Sequence, residues 1–314
     1  MFLLLFVIVA FSEAQTLLVE NFEYPIESDI LSQGWSMHSG AGNNDSITVV
    51  DGLTFDGYIG SGIGGAALLD SYFADQNKKF EKQTTGNIYV AFMVNVTNAT
   101  INGDYFLNVG ANPLNSYFGR VFVMKDFFSG KIAFGIQYTS TTGETIAPRY
   151  TSYIYNLSTT YQIVLKYVID GASSYTAIIV NPILNQAEPT KGWISDKLGT
   201  TAKPDNIGSI ALRQGAKGYA PTLIIDGIRV TTSWPNISSL TELSSTIENC
   251  IKVTISGNKL VLENSMNETQ MDIYNLFGCK VQSSIIEKGS VDISSLLKGI
   301  YIIRIEGYSQ KIII

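Results

Sequence analysis

The stretch NIYVAFMVNV at residues 87–96 places Ile88, Val90, Phe92, Val94 and Val96 in alternation with Tyr89, Ala91, Met93 and Asn95. Two is the side-chain period of a strand, so the first set shares one face and predicts a sheet packed on one side. Comparable runs recur as YFGRVFVM (117–124), KIAFGIQY (131–138), TYQIVLKYVID (160–170), SYTAIIVN (174–181) and TLIIDGIRV (222–230). Gly, Asn, Asp and Ser separate them, and DGASS at 170–174 has hairpin-turn chemistry. Many short strands at this spacing predict an all-β chain whose larger part, residues 15–235, is a two-sheet jelly-roll sandwich.

The segment NISSLTELSSTIEN (236–249) is polar, rich in Ser and Thr, and follows Pro235, which predicts a linker. Beyond it, IKVTISGNKLVLEN, QMDIYNLFGCKVQSS, SVDISSL, GIYIIRIEG and YSQKIII supply seven short strands or fewer. That is the size of a small immunoglobulin-like sandwich spanning 250–314. The charge balance changes at the same place: residues 15–235 carry 14 basic and 18 acidic groups, and residues 250–314 carry 7 and 6.

Only 15% of the 314 residues are charged, whereas 28 are Gly and 17 Tyr, a composition that suits an extracellular β-protein. The net charge of −6 opposes nucleic-acid binding, which needs a basic surface. FLLLFVIVAF at residues 2–11 is too short to span a bilayer. Ser12 and Ala14 follow as the small residues of a cleavage site, so Met1–Ala14 reads as a secretory signal peptide cut between Ala14 and Gln15. No later segment is expected to cross a membrane as a helix. Cys250 and Cys279 could form one disulfide or stand as two buried thiols, and neither has a neighbour at metal-ligand spacing.

The ending LLKGIYIIRIEGYSQKIII (296–314) resembles the type A C-terminal sorting domain of the type IX secretion system of Bacteroidetes and relatives. Leu296, Gly299, Tyr301 and Arg304 fill the penultimate Leu-x-x-Gly-x-Tyr motif and its following basic position, and Lys311 precedes the aliphatic end Ile312–Ile314. Tyr274, Asn275, Gly278 and Val281 match an upstream strand of that family; its opening Pro-Asn-Pro is replaced by IKVTISGNKLVL. The resemblance implies recognition by type IX machinery at the outer membrane and delivery, via the periplasm, to the cell surface or medium. Residues 15–235 resemble concanavalin-like and laminin-G-like jelly rolls in LLVENFEYP, GWSMHSGAGNN, the hairpin TYQIVLKYVIDGASSYTAIIVNP and the closing PTLIIDGIRVTTSW. That resemblance bears on fold, and fold alone does not fix function.

Signs of catalysis are sparse. The jelly-roll glucanase pattern Glu-x-Asp-x-x-Glu does not occur, and the nearest pairs, Glu20 with Glu23 and Glu27 with Asp29, read as solvated surface. His38 is the one histidine, expected at a half-buried strand position with a backbone carbonyl as partner. GSGIGG (60–65) lacks a phosphate-loop ending and reads as tight turns. AGNND (41–45) and KPDN (203–206) offer oxygens that could hold Ca²⁺, but neither has a calcium-loop spacing, Asn/Asp turns are the commoner explanation, and no cofactor is expected. Asp226 is expected to be structural, paired with Arg213 or Arg229. Tyr105, Tyr117, Tyr150, Tyr153 and Tyr155 lie where aromatic faces could meet sugar rings or simply solvent. Six Asn-x-Ser/Thr sequons occur, and Asp45-Ser46-Ile47 resembles a Bacteroidetes O-glycosylation site. The expected function is a secreted or surface non-catalytic module binding carbohydrate or matrix. The alternatives are a polysaccharide-cleaving hydrolase or lyase and a structural surface protein.

Overall fold

The computed structural model describes residues 15–40, 46–70, 74–139, 147–197, 204–234, 252–263, 270–275, 279–286, 289–305 and 308–314. The expected signal peptide up to Ala14, AGNND, Lys203, the 236–249 linker and Cys250 lie outside these residues. Cys279, the second candidate for a disulfide, is an exposed thiol. The chain divides into two compact units, Met1–Glu242 and Leu243–Ile314.

The first unit contains fifteen described strands. They are β1 (Thr16–Glu20), β2 (Ser36–Ser39), β3 (Thr48–Asp51), β4 (Gly65–Leu69) and β5 (Asp75–Gln83). Next come β6 (Gly86–Asn98), β7 (Asp104–Gly110), β8 (Tyr117–Lys125), β9 (Ile132–Thr139) and β10 (Arg149–Tyr150). The last are β11 (Thr160–Ile169), β12 (Tyr175–Val180), β13 (Ile194–Asp196), β14 (Ile207–Leu212) and β15 (Thr222–Thr231). One sheet has the order β13-β12-β11-β6-β15-β4-β3, with β1 also on β15; the other runs β10-β9-β8-β7-β14-β5-β2. Every pairing is antiparallel, and the fold is a jelly-roll sandwich. DGASS makes the β11–β12 hairpin through a short 3₁₀ turn at Gly171–Ser173.

The alternation read from the sequence sets the core. Ile88, Val90, Phe92, Val94 and Val96 of β6 face the opposite sheet, where Phe106 meets Phe92 edge-on at 6.3 Å. The other face of β6 is not solvated, contrary to a sheet packed on one side. Tyr89, Ala91 and Met93 are buried under a second apolar layer that includes Leu53, Tyr58, Leu184 and Trp234. Asp226 and Gly227 fix this cover. They sit where β15 stops pairing with β4 and begins pairing with β1. The Asp226 carboxylate accepts from the Leu53 N–H (2.7 Å) and Gly227 N–H (2.5 Å), and the Tyr58 hydroxyl donates to the Gly227 carbonyl. GSGIGG passes so close that a Cβ at Gly60 would lie 3.0 Å from the Gly227 Cα, so glycine is needed there. Asp226 is therefore structural, but its hydrogen-bonded partners are backbone amides rather than an arginine. Arg229 donates instead to Asn21 (2.5 Å) and the Ile228 carbonyl (3.0 Å).

Glu20 also departs from expectation. It is 4% exposed, not part of a solvated surface. Its carboxylate accepts from the Phe22 N–H (2.8 Å), the Tyr24 hydroxyl (2.9 Å), the Trp35 indole (3.2 Å) and the Lys78 ammonium. Because Glu20 is on β1 and Lys78 on β5, the pair ties one sheet to the other. Glu23 and Glu27 remain exposed, and Asp29 accepts from the Leu31 N–H (2.6 Å) at the start of a 3₁₀ turn.

The second unit has seven described strands: β16 (Lys252–Ser256), β17 (Lys259–Glu263), β18 (Gln270–Asn275), β19 (Lys280–Ile285), β20 (Ser290–Asp292), β21 (Ile300–Ile305) and β22 (Tyr308–Ile313). They form a three-stranded sheet, β16-β17-β20, and a four-stranded sheet, β19-β18-β21-β22. Leu260, Leu262, Met271, Ile273, Ile303 and Ile305 share the core of this small sandwich.

Two outcomes follow for the first unit. Glu20→Ala strands the buried Trp35 indole N–H and deprives the half-buried Lys78 ammonium of its carboxylate, and is expected to cost about 1–3 kcal/mol in urea unfolding; an unchanged stability would remove Glu20 from this role. Burial pushes Asp226 up to about 7, against the pull of its two amide donors. The folded protein thus holds a proton that the unfolded chain releases, so this contribution is full below about pH 4 and is lost as pH rises through about 7. The melting temperature of Asp226→Asn, relative to the parent, is expected to climb between pH 4 and 8; a flat difference would contradict this.

Candidate ligand-binding face

Each strand of the seven-stranded sheet turns one set of residues inward. Phe106, Phe118, Val121, Phe134, Ile136 and Ile210 point to the core. The intervening set forms the outer face, and there polar and aromatic groups from β2, β5, β7, β8, β9 and the end of β14 converge.

Arg120 on β8 is the centre. Its guanidinium carbon lies 4.9 Å from the Tyr105 ring centroid and 5.9 Å from that of Tyr117. One Nη donates to Gln137 at a long 3.4 Å, and Nε is buried without a partner. Burial lowers its pKa, although a guanidinium stays charged in any case. Arg213 stacks on Tyr105 at 4.2 Å but is already neutralised by Asp104 at 2.6 Å. Burial alone would lower the Arg213 pKa, and the Asp104 carboxylate reverses the direction. The two arginines thus differ: one is paired, the other has an unused donor.

His38 is on β2, half-buried, and its ring centroid is 5.8 Å from that of Tyr117. The Asn77 amide nitrogen donates to the Ser36 carbonyl at 2.9 Å and stands 3.3 Å from His38 Nδ1. A nitrogen that bonds a carbonyl is a donor, so Nδ1 must accept, the ring is neutral, and the proton is on Nε2. Burial lowers the His38 pKa in the same sense, opposed by Asp75. The expected strand position is therefore occupied, with an amide rather than a backbone carbonyl as partner.

An aromatic row extends from this cluster. Tyr105 is 5.5 Å from Phe122, and Phe122 is 6.4 Å from Tyr150, which lies over Gly135 where a Cβ would be 2.7 Å from the ring. Of the five tyrosines singled out in the sequence, Tyr105, Tyr117 and Tyr150 meet here. Tyr155 packs instead on Phe134 and Tyr161 at 5.3 and 5.1 Å. Sequence reading missed Arg120, Gln137 and Asn77; for Arg120 and Gln137 the available signal was a charged or amide side chain inside an otherwise apolar strand, whereas Asn77 lies in the polar strand DQNKKFEKQ and stood out from nothing. Among the described residues, no group of three or more His, Cys, Asp or Glu could hold a metal ion.

In the second unit, β21 and β22 form a closing hairpin in which Tyr301 faces Ile312 and Ile302 faces Lys311. Gly299 and Ile314 exchange both backbone hydrogen bonds at 3.0 and 3.1 Å, so the last residue is the final rung of the ladder. Ile303 and Ile305 are buried, while Ile302 and Arg304 face outward. The Tyr301 hydroxyl donates to the Leu297 carbonyl at 2.9 Å. Residues 250–314 match the family described as Secretion system C-terminal sorting domain.

The C-terminal unit is a type IX sorting domain. The sorting domain assigns the chain to export, to the medium or the cell surface. No described helix is long and apolar enough to cross a membrane. No curated protein sequence matches the chain significantly. Among solved structures, domain 4 of the extracellular arabinanase AbnA from Geobacillus stearothermophilus, in complex with arabinotriose, is 12% identical, with 73% of this chain and all of that chain covered and a TM-score of 0.40. An endo-1,3-β-glucanase from Streptomyces sioyaensis is 12% identical over 72% and 98% of the two chains, with a TM-score of 0.41. An endo-β-1,4-glucuronan lyase from Trichoderma reesei is 10% identical over 65% and 96%, with a TM-score of 0.38. These likenesses are distant, and the architecture above rests on strand pairing alone.

Proposed function

We propose that residues 15–235 form a secreted module that binds an acidic polysaccharide on the outer face of the seven-stranded sheet, and that the sorting domain delivers it. The carrying observation is the Arg120 guanidinium, framed by two tyrosines, with a buried Nε that has no partner. An unused buried donor is costly, and a sugar carboxylate can accept from Nε and Nη together in a fork. Nε2–H of His38 supplies a further donor beside Tyr117. Tyr105 and Tyr150, half-buried on either side of the buried Phe122, offer aromatic contacts to sugar rings.

A second reading, a polysaccharide lyase, is favoured by the placement of Tyr117 between His38 and Arg120. Arg120 and Gln137 would neutralise the uronate carboxylate. Tyr117 would take the C5 proton while its own hydroxyl proton passes to the departing oxygen, so that the C4–O bond breaks as the C4=C5 double bond forms and the tyrosine is regenerated. His38 would supply a hydrogen bond from Nε2–H, because Nδ1 already accepts from Asn77.

In the tail, Leu296, Gly299, Tyr301, Arg304 and Lys311 carry the sorting signal, presented by a hairpin whose edge strand β22 pairs on one side with β21 alone. Deleting Lys311–Ile314 removes half of that edge strand and is expected to trap the protein in the periplasm. Surface delivery at the parental level would refute this role.

For the body, the full chain is titrated with oligouronates by calorimetry, alongside a search for unsaturated products. Arg120→Ala is expected to weaken binding by about 10–100-fold, the value of a charge-assisted hydrogen bond, and Arg120→Lys to recover part of it. Equal affinity in Arg120→Ala would sink the proposal. Release of unsaturated uronate, lost in Tyr117→Phe, would select the lyase reading.

A further inference from the structure

The outer face of the eight-stranded sheet contains a cavity of about 700 Å³ at its β11–β12–β13 end, within the size range of small-molecule sites. Its floor is made of small residues. Ala177 on β12 stands opposite Lys166 on β11 and Ser195 on β13, so no large side chain fills the space above it.

One wall is the Trp193 indole, which is held from two sides. Its Nε1–H donates to the Pro189 carbonyl at 2.8 Å, and its ring meets Trp234 edge-on at 5.9 Å. Trp234 is in turn fixed by a bond to the Gln186 carbonyl at 2.8 Å and an edge contact with Tyr89 at 6.0 Å. The other wall is polar. Lys166 pairs with Glu188 at 2.7 Å, and the Tyr89 hydroxyl donates to the second Glu188 oxygen at 2.7 Å. The carboxylate orientation is therefore set before any ligand arrives.

We infer that this cavity is a second glycan-binding site, taking a neutral pyranose stacked on Trp193 with its hydroxyls on Glu188 and Lys166. A sugar ring has an apolar face and a polar rim, which matches a rigid indole beside a fixed charged pair. The charge state separates this site from the Arg120 face. Here two of the three lining cations are compensated, Lys166 by Glu188 and Arg149 by Asp196 at 3.4 Å, and Lys197 extends into solvent at the rim. A ligand carboxylate gains little from cations that are already paired, whereas hydroxyls can both donate to Glu188 and accept from Lys166. The inference stands apart from the acidic-polysaccharide reading, and together the sites would make the module bivalent for a mixed glycan or for two glycans.

The test uses the three tryptophans of the chain, of which Trp35 and Trp234 are 3% exposed and Trp193 is half-buried. Full-length protein labelled at indole nitrogen is titrated with neutral gluco-, manno-, galacto- and xylo-oligosaccharides and, separately, with oligouronates at millimolar concentration. At least one is expected to shift the Trp193 resonance saturably, with affinity unchanged in Arg120→Ala. Trp193→Ala is expected to reduce affinity more than tenfold. Ser195→Leu, at an exposed position, fills the floor with the wall intact and should do the same while the other two indole signals hold their positions. Unmoved indole signals across the panel, a response to acidic oligosaccharides alone, or full affinity in Ser195→Leu would each overturn the site.

Discussion

Across the interior of the first unit, Phe92 of β6 meets Phe106 of β7 edge-on, and Phe118 of β8 meets Tyr167 of β11 in the same way at 6.2 Å. These edge-on rings join two sheets that each have one apolar face to hide. Once those faces are joined, the outer faces have different fates. The eight-stranded sheet acquires a second apolar layer, held by Asp226 and the glycine contact between Gly60 and Gly227. The seven-stranded sheet instead gathers Arg120, Arg213, Asn77, His38 and a row of aromatic rings. Arg229 on β15 also has a buried Nε without a partner, but its other donors reach Asn21 and the Ile228 carbonyl, whereas Arg120 makes one long bond to Gln137.

The strands were legible in the sequence because a half-buried sheet writes its own period. Ile88 to Val96 alternate as they pack, and Asp170–Ser174 turns the chain where its residues predict. The tail was legible for another reason: Leu296, Gly299, Tyr301 and Lys311 fall within 16 residues, so the motif is local in sequence. What escaped was whatever depends on distant chain segments. Tyr89, Ala91 and Met93 alternate as if solvated, and nothing local reveals that Leu53 and Trp234 come to cover them. Glu20 sits in a polar, turn-rich stretch, and its burial becomes visible with Lys78 in place, 58 residues later.

The Arg120 face follows the same logic. Its members come from β2, β5, β7, β8, β9 and the end of β14, separated by up to 175 residues between His38 and Arg213. Three tyrosines of the five named in advance belong to it, yet tyrosine alone did not distinguish them from Tyr155, which packs inward. The decisive feature is electrostatic. Arg213 is satisfied by Asp104, Lys166 by Glu188 and Lys78 by Glu20, whereas Arg120 makes one long bond to Gln137. In a chain of net charge −6, a cation left unpaired within an aromatic frame marks where an anionic ligand is most favoured.

The most direct measurement is the Arg Nε–H region of the nuclear magnetic resonance spectrum of the full chain as an oligouronate is added. A buried Nε–H without a partner exchanges and resonates unlike its solvated counterparts; Arg120 and Arg229 each have one, and the signal that disappears in Arg120→Lys is that of Arg120. Binding at this face predicts that the Arg120 Nε–H signal moves and sharpens as a carboxylate takes up the bond, with Arg213 little altered. A complex in which the Arg120 signal stays where it was, while resonances elsewhere report the ligand, would contradict the account.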